Sequence, residues 1–178
     1  MVWKILRSSL HKIGRFSIIE DKVLLPNQKK ILFSFVNFSK GVCILAMNEN
    51  NEVLCLRQYR HALKSWQWEL PAGAIDPEDK CPLESAKREL QEETGYIADT
   101  WTPLGSFFPS PGSTSEEIFL FLATDLVKSV QSLEESEQIE VYPLKLEELK
   151  NLASSGQFQH GGGLAALLRY MVLDEKSS

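Results

Sequence analysis

Residues 86–101 read AKRELQEETGYIADTW. At 100° per residue, Ala86, Leu90 and Thr94 share one helical face with the preceding Leu83, and that face can pack on a sheet. Glu89, Glu92 and Glu93 crowd the adjoining arc, with Arg88 one turn before Glu92. Pro82 and Gly95 supply start and stop signals, so the spacing predicts a helix from about Pro82 to Thr94. Like charges so close destabilise a helix by roughly 0.2–0.5 kcal/mol per pair. A solvated face is the ordinary meaning of a charge run. Here Lys87 and Arg88 are the only nearby cations, and Arg88 is expected to neutralise one carboxylate. Glu89 and Glu93 lie one turn apart, so their oxygens converge as a hard divalent cation requires.

Around this helix the chain reads as mixed α and β. Residues 16–37 predict two strands joined at Pro26-Asn27. Residues 41–58 (GVCILAMNENNEVLCLRQ) predict a hairpin with Asn-Glu-Asn-Asn at its tip. A short strand in SWQWELPAG runs into a Pro/Gly loop before the helix. Further strands are expected near 101–108, 117–124 and 139–145, with helices near 146–154 and 163–173. The absence of regular βαβ alternation argues for a mixed sheet flanked by helices, not a doubly wound parallel one.

The chain has 178 residues, which suits one domain with a small appended arm. Its formal net charge of −5 argues against a non-specific grip on nucleic acid or an anionic membrane. No apolar run reaches membrane-spanning length. Cys43, Cys55 and Cys81 form no CxxC pair and read as reduced thiols of a cytoplasmic protein. The basic N-terminal stretch, MVWKILRSSLHKIGRFSII, runs directly into strand-like sequence and is read as part of the fold. His160-Gly161-Gly162-Gly163 looks like an esterase oxyanion loop, but no GxSxG elbow accompanies it; it is expected to open the last helix. His11, His61 and His160 lack zinc-ligand spacing. Trp3, Phe16, Trp66 and Trp68 could stack on a base, although most strand aromatics are core.

The run from Gly73 through Arg88-Glu89-Leu90-Gln91-Glu92-Glu93-Thr94-Gly95-Tyr96 resembles the Nudix box. The second half matches at every fixed position. The first half carries one residue more than the family's spacer, and Asp79 stands where the family has Glu. LRQYRHALKSWQWELPAGAID (56–76) and PSPGSTSEEIFLFLA (109–123) resemble the ADP-ribose pyrophosphatase branch of that family. The resemblance implies an α/β (α+β) Nudix-type α/β/α sandwich with a mixed sheet over 41–178. Residues 1–40 would add antiparallel strands, a dimerisation arm of a homodimer.

The same resemblance implies the chemistry: Mg²⁺-dependent hydrolysis, with Mn²⁺ as a substitute, of the diphosphate of a nucleoside diphosphate sugar. Glu89, Glu93 and the carbonyl of Ala72 match metal ligands, and Glu116 matches a further metal-linked acid. Glu92 and Arg88 match box residues that support or share the metal site. Arg60 matches a cation holding phosphate, with Arg57 a weaker candidate, and Glu69 stands where the branch contacts adenine or ribose. A late loop, LEESEQIE (133–140), is expected to supply Glu135 as base and Glu137 as ligand. ADP-ribose is the preferred substrate on this reading, giving AMP and ribose 5-phosphate. Another sugar nucleotide such as GDP-mannose is the alternative, and a non-catalytic nucleotide-binding module is a third. The intact acidic cluster weighs against a pure binder.

Overall fold

A computed structural model describes residues 2–175. Ten strands and three helices occur among them. They fall into two units: residues 1–40 with 108–117, and residues 41–107 with 118–178.

The first unit is a three-stranded antiparallel sheet in the order β1 (Lys4–Ile13), β2 (Phe16–Leu24), β3 (Lys30–Asn37). The expected turn at Pro26-Asn27 joins β2 to β3, with Gln28 at φ 65° closing it. The basic N-terminal stretch is β1, at the edge of this sheet. Segment 108–117 runs beside β3 through a parallel bridge between Val36 and Thr114.

The second unit holds two sheets. The larger has the order β7 (Ala72–Ala74), β4 (Gly41–Ala46), β9 (Ile118–Lys128), β8 (Tyr96–Phe107). β4 and β9 are parallel and the other pairs antiparallel, so the sheet is mixed. The smaller is antiparallel: β10 (Ile139–Lys145), β5 (Glu52–Arg60), β6 (Ser65–Glu69). Helix α1 (Pro82–Thr94) packs on one face of the larger sheet. Helix α3 (Gly161–Asp174) packs on the other, and α2 (Leu146–Ser154) on β10 and β5.

The predicted 41–58 hairpin does not form. Its turn is real, for the Asn48 side-chain oxygen accepts from the Asn50 and Glu52 amides, and Asn51 sits at φ 55°. A single Met47–Val53 bridge follows, and then β4 and β5 part into different sheets. The reason is burial. All six residues of β4 are buried, Val42, Ile44 and Ala46 towards α1, Cys43 and Leu45 towards α3 and Phe158. A strand apolar on both faces belongs at the centre of a covered sheet, not at its solvated edge. β9 alternates in the same way, with Leu120 on the α3 side and Phe121 on the α1 side. β8 and β9 are also longer than expected, β8 starting directly after Gly95.

Candidate active site

The acidic helix begins and ends where its sequence says. Pro82 occupies the first turn, and Gly95 caps the end at φ 72°, donating its N–H to Gln91 O at 2.8 Å. Ala86, Leu90 and Thr94 are buried on the sheet and Leu83 is packed against it. Glu93 lies on that flank too and is only 2% exposed. Three carboxylates thus stand in the last two turns, at the negative end of the helix dipole, with no basic residue in the last turn. Repulsion, dipole and burial all oppose them.

Each acid has a defined setting. Glu93 Oε2 accepts the N–H of Ala72, at the start of β7, at 2.8 Å. Burial, with Glu89 and Glu137 nearby, still pushes its carboxyl well above the usual range. Glu89 Oε1 accepts from Arg88 at 2.8 Å; burial raises its pKa, and the Arg88 charge restrains the rise. Its carboxylate lies over Gly73 so closely that a Cβ there would overlap it. Any side chain at position 73 would therefore displace the Glu89 carboxylate, although the Gly73 backbone itself has no positive φ.

Arg88 does more than neutralise one acid. Its guanidinium reaches Glu89 (2.8 Å), Glu92 (3.0 Å), Asp79 (3.2 Å) and Asp76 (3.4 Å), and it donates to Ala74 O at 3.0 Å. Burial works against its charge, but the surrounding carboxylates win and raise its pKa. Asp79 also accepts from Ser85 Oγ at 2.7 Å, and that bond first, then Arg88, lowers its pKa. The shorter carboxylate with a longer spacer therefore still ties the loop to the helix.

A strap brings the late loop to the helix. The C-terminal carbonyls of α1, which a helix leaves unpaired, accept from residues 129–132: Ser129 N–H to Gly95 O (2.7 Å), Gln131 Nε2 to Glu93 O (2.7 Å), Ser132 N–H to Glu92 O (3.0 Å). The chain then turns through Glu134–Glu137, where Glu134 N–H donates to Glu137 Oε2 at 2.9 Å.

Glu134 and Glu137 close a cavity of about 210 Å³ with Glu89, Glu92, Glu93 and Arg60. Of the residues expected at the site, Ala72 and Arg88 also line it, while Glu135, Arg57 and Glu69 do not. Glu134, missed by the sequence reading, stands where Glu135 was expected. Arg57 lies over the Trp68 ring, 4.9 Å from its centroid, beside Tyr142. Glu69 is buried and pairs with Arg60 through two bonds, 2.8 Å from Nε and 2.5 Å from Nη2. That pairing raises the Arg60 pKa and leaves Nη1 for another acceptor. Glu116 belongs to the first unit, where burial raises its pKa. No Phe, Tyr or Trp lines the cavity, so Trp3, Phe16, Trp66 and Trp68 play no part in its wall.

The donor set fits a hard cation. The second oxygens of Glu89 and Glu93 accept no bond among the described residues. Burial raises the pKa of both carboxyls, and neighbouring carboxylates add to it, Glu92 and Glu137 at Glu89 and Glu89 and Glu137 at Glu93, so a divalent charge among them would relieve both. Among the described residues, no three acid, His or Cys side chains already stand as a ready coordination shell. Arg88 holds one oxygen each of Glu89 and Glu92. The residues that would hold the ion are Glu89, Glu93 and Glu137, with Glu92 beside them.

The chain is similar to known proteins. The NUDIX domain profile matches residues 37–162. An ADP-ribose pyrophosphatase of Bacillus subtilis (strain 168) is 33% identical over 159 residues, 88% of this chain and 84% of the relative. A GDP-mannose pyrophosphatase of Yersinia enterocolitica is 30% identical over 171 residues, 90% of this chain and 86% of the relative. A crystal structure of an ADP compounds hydrolase superposes with a TM-score of 0.89 at 20% identity, covering 100% of this chain and 97% of its own.

Proposed function

The chain belongs to the NUDIX domain family, and from that premise we propose that it hydrolyses the diphosphate linkage of nucleoside diphosphate sugars. ADP-ribose is the preferred substrate on this reading, with AMP and ribose 5-phosphate as products. The observation that carries the proposal is the convergence of Glu89, Glu92, Glu93, Glu134 and Glu137 with Arg60 and Arg88 in a single small cavity. Mg²⁺, with Mn²⁺ as a substitute, would screen the anionic oxygens and make a bound water nucleophilic.

The chain's own groups do the rest. Arg60, its orientation fixed by Glu69, offers Nη1 to a phosphate oxygen. The Ala72 N–H keeps Glu93 aimed into the cavity, and Arg88 holds the β7 end, the spacer loop and α1 together. The water's proton goes to the 134–137 turn. Glu137 is already fixed by the Glu134 amide, so Glu134 is assigned as base in place of Glu135.

A product-resolved assay over ADP-ribose, ADP-glucose and GDP-mannose tests the proposal. Wild type should turn over ADP-ribose best. Glu93→Gln should lose on the order of 10²-fold or more with the fold intact. Glu134→Gln should lose about 10²–10⁴-fold, and Glu135→Gln little. A fully active Glu93→Gln enzyme would refute the metal assignment. The Yersinia relative supports a second reading, in which GDP-mannose is the better substrate, and the same panel decides it.

Two further proposals follow. Ile5, Leu6, Leu10 and Ile13 on β1 are exposed, which supports residues 1–40 as the contact surface of a homodimer. Cys43, Cys55 and Cys81 are free, which supports a reducing compartment, the cytoplasm. No helix among the described residues is long and apolar enough to cross a membrane.

A further inference from the structure

We infer that a second pocket, between the β5–β6 turn and the start of α3, receives the sugar of the substrate, with His160 donating a hydrogen bond to it. The inference rests on the sugar-nucleotide reading above and names the seat of one end of that substrate. The pocket measures about 350 Å³, enough for a single ring. Arg60 lines both this pocket and the acidic one, so a diphosphate held at Arg60 has one substituent at the entrance.

His160 is oriented for the task by the backbone. Its Nδ1 accepts the Leu70 N–H at 3.1 Å, so that nitrogen bears no proton. The neutral ring then carries its proton on Nε2. No acceptor bonds Nε2 among the described residues, and the ring lines the pocket. Two glycines make room for it. A Cβ at Gly162 would press on Cys43 and touch His160 Nε2, and one at Gly163 would collide with the Phe158 ring and crowd His160 Nδ1.

The rest of the wall selects the ligand's chemistry. Leu63 supplies an apolar side. Gln67 gives an N–H to Ser65 Oγ at 2.7 Å, which leaves its carbonyl as an acceptor, and Gln159 adds an amide. Glu69 and Arg60 largely satisfy each other. No Phe, Tyr or Trp lines the pocket, so a base would find no stacking platform. Scattered single donors and acceptors suit hydroxyl groups, each of which both gives and takes a hydrogen bond.

Two variants test this. In His160→Asn the amide oxygen takes the place of Nδ1 and keeps the Leu70 bond, while nothing replaces Nε2. In Gly161→Phe the new Cβ meets no atom within 4 Å and φ is not positive, so the ring fills the pocket without backbone conflict. The full chain in EDTA is titrated calorimetrically with ribose 5-phosphate and, separately, with AMP. Steady-state constants for ADP-ribose are measured in Mg²⁺. Both variants should weaken ribose 5-phosphate about five- to tenfold and leave AMP within about twofold. KM for ADP-ribose should rise by a similar factor, with kcat within about twofold. Weakened AMP with unchanged ribose 5-phosphate would place the nucleoside here and overturn the inference. So would ribose 5-phosphate binding that neither variant alters, or none to wild type. His160-dependent binding of ribose 5-phosphate in a protein that hydrolyses no sugar nucleotide would uphold the pocket and overturn only the activity.

Discussion

Gly73 and Glu93 show how closely the site is held at the scale of single residues. The Glu89 carboxylate occupies the space of the missing Gly73 side chain. Gly73→Ala should therefore displace a flexible carboxylate and not the backbone. Activity should drop roughly 10- to 100-fold, as when a metal ligand is misoriented, while the melting temperature moves only a few degrees. A fully active Gly73→Ala enzyme would show that Glu89 works from elsewhere. Glu93 carries a pH signature as well. Its raised pKa means the folded chain holds its proton more tightly than the unfolded chain. That contribution to stability is complete below the ordinary carboxylate range and is lost as pH rises through the raised value. In EDTA near neutral pH, Glu93→Gln should melt above wild type by about 2–4 °C for each kcal/mol relieved. The gap should close towards about pH 4; a gap equal at both pH values would contradict the account. The acids of the helix were legible because i, i+4 spacing fixes direction. Glu134 was not, because which acid of a tight turn faces inward depends on backbone angles that composition does not encode. His160 was hidden for a related reason: its partner, the Leu70 amide, lies ninety positions away.

Among the elements, α1 depends most on its ending. Gly95 is left-handed at φ 72°, and a Cβ there would come within 3.0 Å of the Gln131 amide nitrogen. Gly95→Ala should cost about 1–2 kcal/mol from conformation alone. It should also disturb the strap that leads to Glu134 and Glu137, so activity should fall more than the lost stability explains. A variant that is destabilised yet fully active would separate the cap from the strap. The helix was legible from end to end because caps and apolar period agree. The 41–58 hairpin was misread because adjacent strands with a good turn normally pair. What separates β4 from β5 is burial on both faces, a tertiary demand that overrides the local signal.

At the scale of the whole molecule, strand and helix content, and the absence of βαβ alternation, pointed to the mixed sheet between helices that the second unit contains. That residues 108–117 join the first unit was not legible, because their ladder partner, Val36, is distant along the chain. The homodimer proposal belongs here. Sedimentation of the wild type should give twice the chain mass, and Ile5→Lys with Leu10→Lys should give the single chain mass; a wild-type monomer would retire the proposal. The parallel register from Gly41↔Ile118 to Ala46↔Ala123 has a consequence for synthesis. A nascent chain that has left the ribosome only as far as residue 117 already owns every acid of the Nudix helix, yet lacks β9, which joins β4 to β8 in the sheet beneath it, and the turn that carries Glu134 and Glu137. Loop closure on this span comes late and is slow. Half-made chains should thus show no cation affinity of their own, and the catalytic cavity is born only together with the core.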